Sequence, residues 1–237
     1  GGEAANYEVK TYESGTLTVN PKALTVTAGD LKVTKVYDGT NNAGVAAENT
    51  KLGLDGVVNN DDVQVSYTTI GAYADANVGS GKAVTISGLS LTGAKASNYT
   101  ISASEQQITA GEITKADLTA KMLSFAPAST VYDGTAKTVS VTLKTPYTGM
   151  GEVTVKYDGA VSATNAKTYD ITADVTEGTN FNAAAGLSLG EFTIQPKSIA
   201  GVTIEGIESN GYEFTGSESK PAITVKDDDK TLTADTD

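Results

Sequence analysis

"VYDGT" occupies Val36–Thr40 and returns letter for letter at Val131–Thr135. How this pentad is read decides the fold. Asp-Gly is a strong turn dipeptide: the Asp side chain accepts a hydrogen bond from the backbone two residues on, and Gly takes a positive φ with no Cβ to clash. A Tyr before it closes a strand, with its ring over the edge of a core and its hydroxyl reaching water or a carbonyl. A Thr after it restarts extended chain. Tyr37, Asp38, Gly39 and Thr40, with their counterparts Tyr132, Asp133, Gly134 and Thr135, therefore read as a structural turn used twice. The rival reading makes Asp38 and Asp133 catalytic carboxylates or Ca²⁺ ligands. No second acid stands at a fixed spacing from either one, so the turn is the better reading.

Outward from the turn, apolar residues alternate with Thr, Ser or charge. Leu17 and Val19 alternate with Thr16 and Thr18, and Leu24 and Val26 with Thr25 and Thr27. Val63, Val65 and Tyr67 follow the same pattern, as do Val139, Val141 and Leu143, then Val153, Val155 and Tyr157, then Tyr169, Ile171 and Ala173. Period two marks strands with one buried and one wet face, as in antiparallel sheets. Gly, Asn and Asp punctuate the segments. Helix is suggested only around Ala43–Leu54 and Ala183–Leu187, where Gly44, Gly53 and Gly186 weaken it. The class is all-β.

Two further markers recur in step with the pentad. One is Asn-aromatic: Asn6-Tyr7, Asn98-Tyr99 and Asn180-Phe181. The other is "GTLTVNPKAL" from Gly15, "GEITKADL" from Gly111 and "GEFTIQPKSI" from Gly190. A degraded third copy of the turn, "YEFTG", starts at Tyr212. Shared order and similar spacing make these tandem repeats. Residues 1–21 are expected to be the closing hairpin of a preceding repeat, 22–115 and 116–196 two complete units, and 197–237 the opening of a third. Pro21 and Pro196 stiffen two junctions, and the one near Lys115-Ala116 has no proline. Each complete unit is expected to be a small antiparallel, Ig-like sandwich, with a β-grasp arrangement as the alternative. Arranged linearly, compact units of this size would each add on the order of 35 Å and share few contacts.

The 237 residues carry a formal charge of −12 and a pI near 4.4. With no basic stripe to neutralise phosphates, nucleic acid is a poor partner, and anionic membranes would repel the chain. No apolar run approaches a membrane span. Gly1 without an initiator Met reads as a trimmed start, so a signal peptide and an anchor are expected outside these residues.

His and Cys are both absent, which removes the commonest general base, every Ser-His or Cys-His nucleophile, disulfides and ordinary zinc sites. Nothing nominates a carboxylate pair from the 29 acids. No catalytic residue, metal site or cofactor is expected, and no ligand-binding residue is assigned. Two acidic clusters, Asn59-Asn60-Asp61-Asp62 and Asp227-Asp228-Asp229 with Asp235 and Asp237, lack the spaced oxygen pattern of a calcium loop. The first reads as a loop entering the Val63 strand and the second as a solvated edge or hairpin. The Tyr residues read as core and rim, leaving a glycan groove unsupported. The sequon at Asn98 reads as a turn into the strand at Thr100. A Lys–Asn crosslink would need a buried Lys, and most lysines read as exposed.

Residues 22–115 resemble the YDG domain of bacterial surface adhesins through "KVYDGT" (35–40), "DDVQV" (61–65), "YADANVGSGKAVTISGLSLTGAKASNYTI" (73–101) and "GEITKADL" (111–118). Residues 116–196 resemble the related MBG-type repeat through "VYDGTAK" (131–137), "VTVKYDG" (153–159), "TNAKTYDITADV" (164–175) and "GTNF" (178–181), with Lys167 where that family usually has Gly. The last stretch resembles the opening of a bacterial Ig-like repeat. The resemblance implies serial β modules without catalytic residues, in secreted or wall-attached proteins at the bacterial cell surface. It implies a stalk or spacer whose neighbours are further repeats, or alternatively an adhesive module that takes host glycan or matrix protein on loops or edge strands.

Overall fold

The computed structural model describes residues 3–8 and 10–233. Among them the only helical elements are three-residue 3-10 turns, Ala4–Asn6, Ala96–Asn98 and Ala120–Met122, so the chain is all-β. Among the described residues no helix is long and apolar enough to cross a membrane. Of the two weakly helical stretches, Ala43–Leu54 is loop and turn around two short strands and Ala183–Leu187 runs into a long strand; among the described residues no helix is present around which a β-grasp sheet could close.

The chain forms two compact units. The first contains residues 1–118 together with 144–152 and 176–183, and the second contains 119–143, 153–175 and 184–237. Neither is a continuous stretch. The expectation that 22–115 and 116–196 would share few contacts fails here, because two loops of the second repeat belong to the first unit. The reason is burial: side chains in those loops cover an aromatic ring, as described below.

In the first unit the strands are β1 (Lys22–Thr27), β2 (Val33–Val36), β3 (Val45–Ala46), β4 (Gly53–Asp55), β5 (Gln64–Ser66), β6 (Thr69–Tyr73), β7 (Gly79–Ser87), β8 (Ser90–Thr92), β9 (Tyr99–Ile101) and β10 (Glu105–Thr114). They form a five-stranded sheet of order β3-β2-β10-β7-β6, a three-stranded sheet β4-β1-β9 and the pair β5-β8. Alternation places Val33, Val84, Ile86, Ile108 and Ile113 inside on the larger sheet and Leu24 and Val26 on the smaller. Leu24, Val63 and Tyr99 form a cluster at the end where β1 meets β9.

In the second unit β11 (Leu123–Ala126) pairs with β13 (Ser140–Leu143), and β12 (Ser129–Val131) joins β14 (Val153–Tyr157), β15 (Thr168–Val175) and β16 (Ala184–Gln195) in the order β12-β16-β15-β14. Its core is Val139, Tyr157, Ala163, Tyr169, Ile171, Phe192 and Ile194. Tyr157 meets Tyr169 and Phe192 edge-on. Beyond it, β17 (Thr203–Glu205), β18 (Thr224–Asp227) and β19 (Lys230–Leu232) make a three-stranded sheet of their own.

The two larger sheets follow one plan: β2, β10, β7 and β6 correspond in order to β12, β16, β15 and β14. The expectation of purely antiparallel modules is corrected at three pairings. β1 runs parallel to β9, β2 to β10, and β12 to β16. Each joins an early strand of a repeat to a late one, and strands so far apart in sequence need no hairpin between them. The alternation at 16–19 is also not realised as expected. No strand forms among the described residues 10–21, where Leu17 and Val19 are exposed, so the closing hairpin is absent among the described residues. Alternation makes a strand only where a partner edge exists, and among the described residues none pairs with this segment.

Candidate functional site

Both pentads fold alike. Asp38 Oδ1 accepts the Thr40 N–H and hydroxyl, each at 2.9 Å. Asp133 Oδ1 accepts the same groups of Thr135 at 2.9 and 2.6 Å. Gly39 and Gly134 have φ of 79° and 80°, the left-handed region that Gly enters freely. The preceding tyrosines leave the parallel pair in the same way. Tyr37 N–H donates to the Thr114 carbonyl at 2.9 Å, and Tyr132 N–H to that of Gln195 at 2.8 Å.

Each Asp also has a cationic partner that spacing rules did not flag. Lys35 Nζ lies 2.7 Å from Asp38 Oδ1, and Lys137 pairs with Asp133. These lysine side chains are only 10% and 15% exposed, two exceptions to the reading of most lysines as exposed, which Lys22, Lys51 and Lys95 among others follow. Burial raises the affinity of Asp38 for its proton, but Lys35 and the Thr40 groups outweigh it and hold the carboxyl below its ordinary range. Lys137, then the Thr135 groups, lower Asp133 further still. Carboxylates fixed in the charged state by their own turn are poor general acids.

Around Tyr37 the first unit builds a closed seat. The Tyr37 ring is 4% exposed and meets Phe181 edge-on at 5.2 Å, with Tyr147 at 6.5 Å completing the trio. Its hydroxyl accepts the Thr148 N–H at 2.9 Å. Pro146 lies so close over the turn that a Cβ on Gly39 would come within 2.8 Å of its ring.

Beside Phe181, Asn180 is 2% exposed, the one buried polar residue among those described. The Val78 N–H donates to its Oδ1 at 3.0 Å, and its Nδ2 donates to Asn77 Oδ1 and the Thr148 carbonyl, both at 3.2 Å. Its own carbonyl accepts the Ala116 N–H at 3.1 Å, and a parallel bridge joins Ala116 to Phe181. The pentad, the Asn77-Val78 motif, the junction after β10 and the Asn-aromatic marker thus meet at one place. Sequence identified each marker, but not that they touch.

The acidic clusters have structural tasks. Asp61 Oδ2 accepts the Tyr99 hydroxyl at 2.8 Å, and Asp62 Oδ2 accepts the Ala94 N–H at 3.0 Å. Asp228, with φ 51°, turns the β18–β19 hairpin, while Asp227 pairs with Lys197 at 2.5 Å. Asp235 and Asp237 lie outside the described residues. Among the described residues no group of three or more acids is placed to hold a metal ion.

The second unit has a cavity of ≈ 380 Å³ around its own pentad, lined by Tyr132, Asp133, Asn165, Ala166, Pro196 and Lys197, with β18 and β19 contributing along another side. Lys230 Nζ stands 5.7 Å from the centre of the Tyr132 ring.

Comparison with known families gives two matches: residues 20–108 fit the YDG domain and residues 122–198 the MBG domain. Both occur in repeat proteins of the surface type, and neither is known as a catalytic family. No curated protein and no solved structure matches the chain.

Proposed function

Since the chain carries a YDG domain followed by an MBG domain, we propose that it is a non-catalytic spacer segment of a bacterial cell-surface, adhesin-like protein. Its task is to hold other parts of that protein away from the envelope, with further repeats as its neighbours. The observation that carries this reading is the seat at Tyr37. There the most recurrent features of the sequence are spent on burying one another: a 4%-exposed Tyr, a 2%-exposed Asn and a fully buried Phe181. Side chains that bind a changing partner stay accessible, whereas these are enclosed and hydrogen-bonded, as a structural joint requires. The pentad carboxylates bond their own turns, which supports the absence of an enzymatic role.

The test is surface display of an epitope on zero, one or two copies of this segment. Antibody access through a capsule or dense glycocalyx should rise with copy number, while a glycan array and a host-matrix panel stay blank. Access independent of copy number would sink the spacer reading. A specific glycan or matrix hit would replace it with the adhesive one.

A further inference from the structure

Strand β14 is an edge of the larger sheet in the second unit, and its pairing with β15 runs without a register shift from Val153–Val175 to Tyr157–Ile171. Thr176 N–H donates to the Glu152 carbonyl at 2.9 Å, and Asp158 N–H to the Asp170 carbonyl at 3.0 Å. Antiparallel bonding alternates along a strand, so Glu152, Thr154, Lys156 and Asp158 direct their backbone groups at β15. Those of Val153, Val155 and Tyr157 point away from the sheet. Tyr157 satisfies its own through Ala160, giving an N–H at 2.6 Å and accepting one at 2.9 Å. Among the described residues nothing pairs with the outward N–H and C=O groups of Val153 and Val155.

The corresponding edge strand of the first unit, β6, is guarded. Its pairing with β7 is broken by a register shift between Ile70 and Tyr73. Tyr73 N–H donates to the Asn41 carbonyl at 2.8 Å, and Asn41 Nδ2 donates to the Tyr73 carbonyl at 3.2 Å. Bulges and covering loops keep an edge from pairing with a foreign strand. Over Val153–Val155 the described residues supply neither.

The residues of this edge complement themselves. Two copies of β14 laid antiparallel about a twofold axis at Thr154 set Val153 opposite Val155 and Glu152 opposite Lys156, each twice. The valines then form hydrogen-bonded pairs that use all the outward groups, with Thr154 beside its own copy at the axis. Glu152, Thr154 and Lys156 share one face by alternation. Glu152 is exposed. Lys156 Nζ lies 2.5 Å from Asp174 Oδ2, which occupies one of its three donors. Sliding the register by two residues sets Glu152 opposite Asp158 in one direction and opposite Thr154 in the other, so charge selects the first alignment. We propose that the β14 edge joins this chain to a second copy of itself through an isologous, twofold strand pair. A ladder this short buries little area, so the contact is weak and counts where copies stand side by side at high local concentration.

Sedimentation of the full chain across a concentration series tests this. The weight-average mass should climb from the 24.2 kDa of one chain and level off at twice that, because a twofold contact closes. Val155→Pro removes an outward donor and leaves the β15 ladder intact, since proline is tolerated where a strand N–H faces solvent. It should abolish the rise while circular dichroism stays that of the wild type. Glu152→Lys and Lys156→Glu each set like charges opposite one another and should weaken association about tenfold. Mixed one to one, the two charge variants restore opposite charges at every position and should associate as the wild type does. Loss of fold in either variant could not produce that recovery, so the mixture decides independently of the proline. A mass constant up to about 1 mM, where even weak contacts show, would overturn the proposal. So would growth beyond a dimer, association that survives Val155→Pro, or a mixture no stronger than its separate components.

Discussion

Tyr37 and Tyr132 occupy the same place in the same five letters, yet they should respond differently to mutation. Tyr37→Phe deprives the Thr148 N–H of its acceptor at 2.9 Å, and an unpaired buried donor costs about 1–3 kcal/mol. Tyr37→Ala also empties the contact with Phe181 and should cost about 3–5 kcal/mol. Tyr132→Ala, at a half-buried ring, should cost clearly less. Urea midpoints of the three variants check the order, and equal shifts at the two tyrosines would contradict it. Asn180→Asp retains an acceptor for Val78 but loses the two bonds donated by Nδ2 and places a carboxylate opposite two acceptors. It should cost about 1–3 kcal/mol or more at neutral pH and less once the new acid is protonated, which denaturation at pH 7 and pH 3.5 would reveal.

Among the strands, β10 has a position with no room for added bulk. Gly111 sits at a register shift opposite β7, and a Cβ there would come within 2.6 Å of the Val84 side chain and 2.8 Å of the Tyr73 ring. Gly111→Ala should destabilise by about 1–3 kcal/mol through overpacking. Gly79→Ala, with open space around it, should be within about 1 kcal/mol of wild type. Thermal melts of both variants decide this. At this scale the sequence is legible where alternation meets a partner. Leu24, Val26, Tyr157, Tyr169 and Ile171 were marked as inward by period two and are buried. Leu17 and Val19 carry the same pattern and stay exposed, because alternation states which face could be buried and not whether another strand is there to bury it. Parallel pairing was illegible for a related reason: the contact of Val36 with Thr114 depends on long-range topology, which no local pattern encodes. The pentads were readable down to the Asp-to-Thr bond. Their lysine partners were not, since Lys35 lies three residues before its Asp and Lys137 four after, with no shared spacing to notice.

For the molecule as a whole, the lack of His leaves no side chain of ordinary pKa between pH 5 and 8. Asp38, Asp75, Asp133, Asp158, Asp174 and Glu177 all have pKa values lowered in the folded state, chiefly by paired lysines and backbone N–H groups. A lowered folded pKa contributes stability that is present above the unfolded value and lost as pH falls through the folded one. Melting temperature should therefore be nearly flat from about pH 8 to 5 and fall below the ordinary Asp value of 3.8. A decline that began near pH 6 would contradict this. Trypsin should cut rapidly after Lys10, in a stretch where Tyr12, Leu17 and Val19 are 91%, 89% and 85% exposed, and slowly at Lys22, which lies in β1. Mass spectrometry of a brief digest reads both rates.

The parallel closure of each large sheet governs how a module bears tension. A pull that draws β2 backward by its leading end and β10 forward by its trailing end slides the two along each other. The ladder from Gly111–Val33 to Thr114–Val36 is then loaded in shear, its bonds sharing the force where an antiparallel hairpin would unzip one bond at a time. The shorter ladder from Ser129–Thr193 to Val131–Gln195 repeats the arrangement. Each module thus carries a mechanical clamp between its second strand and its last long one, and the three-rung version should yield at the lower force.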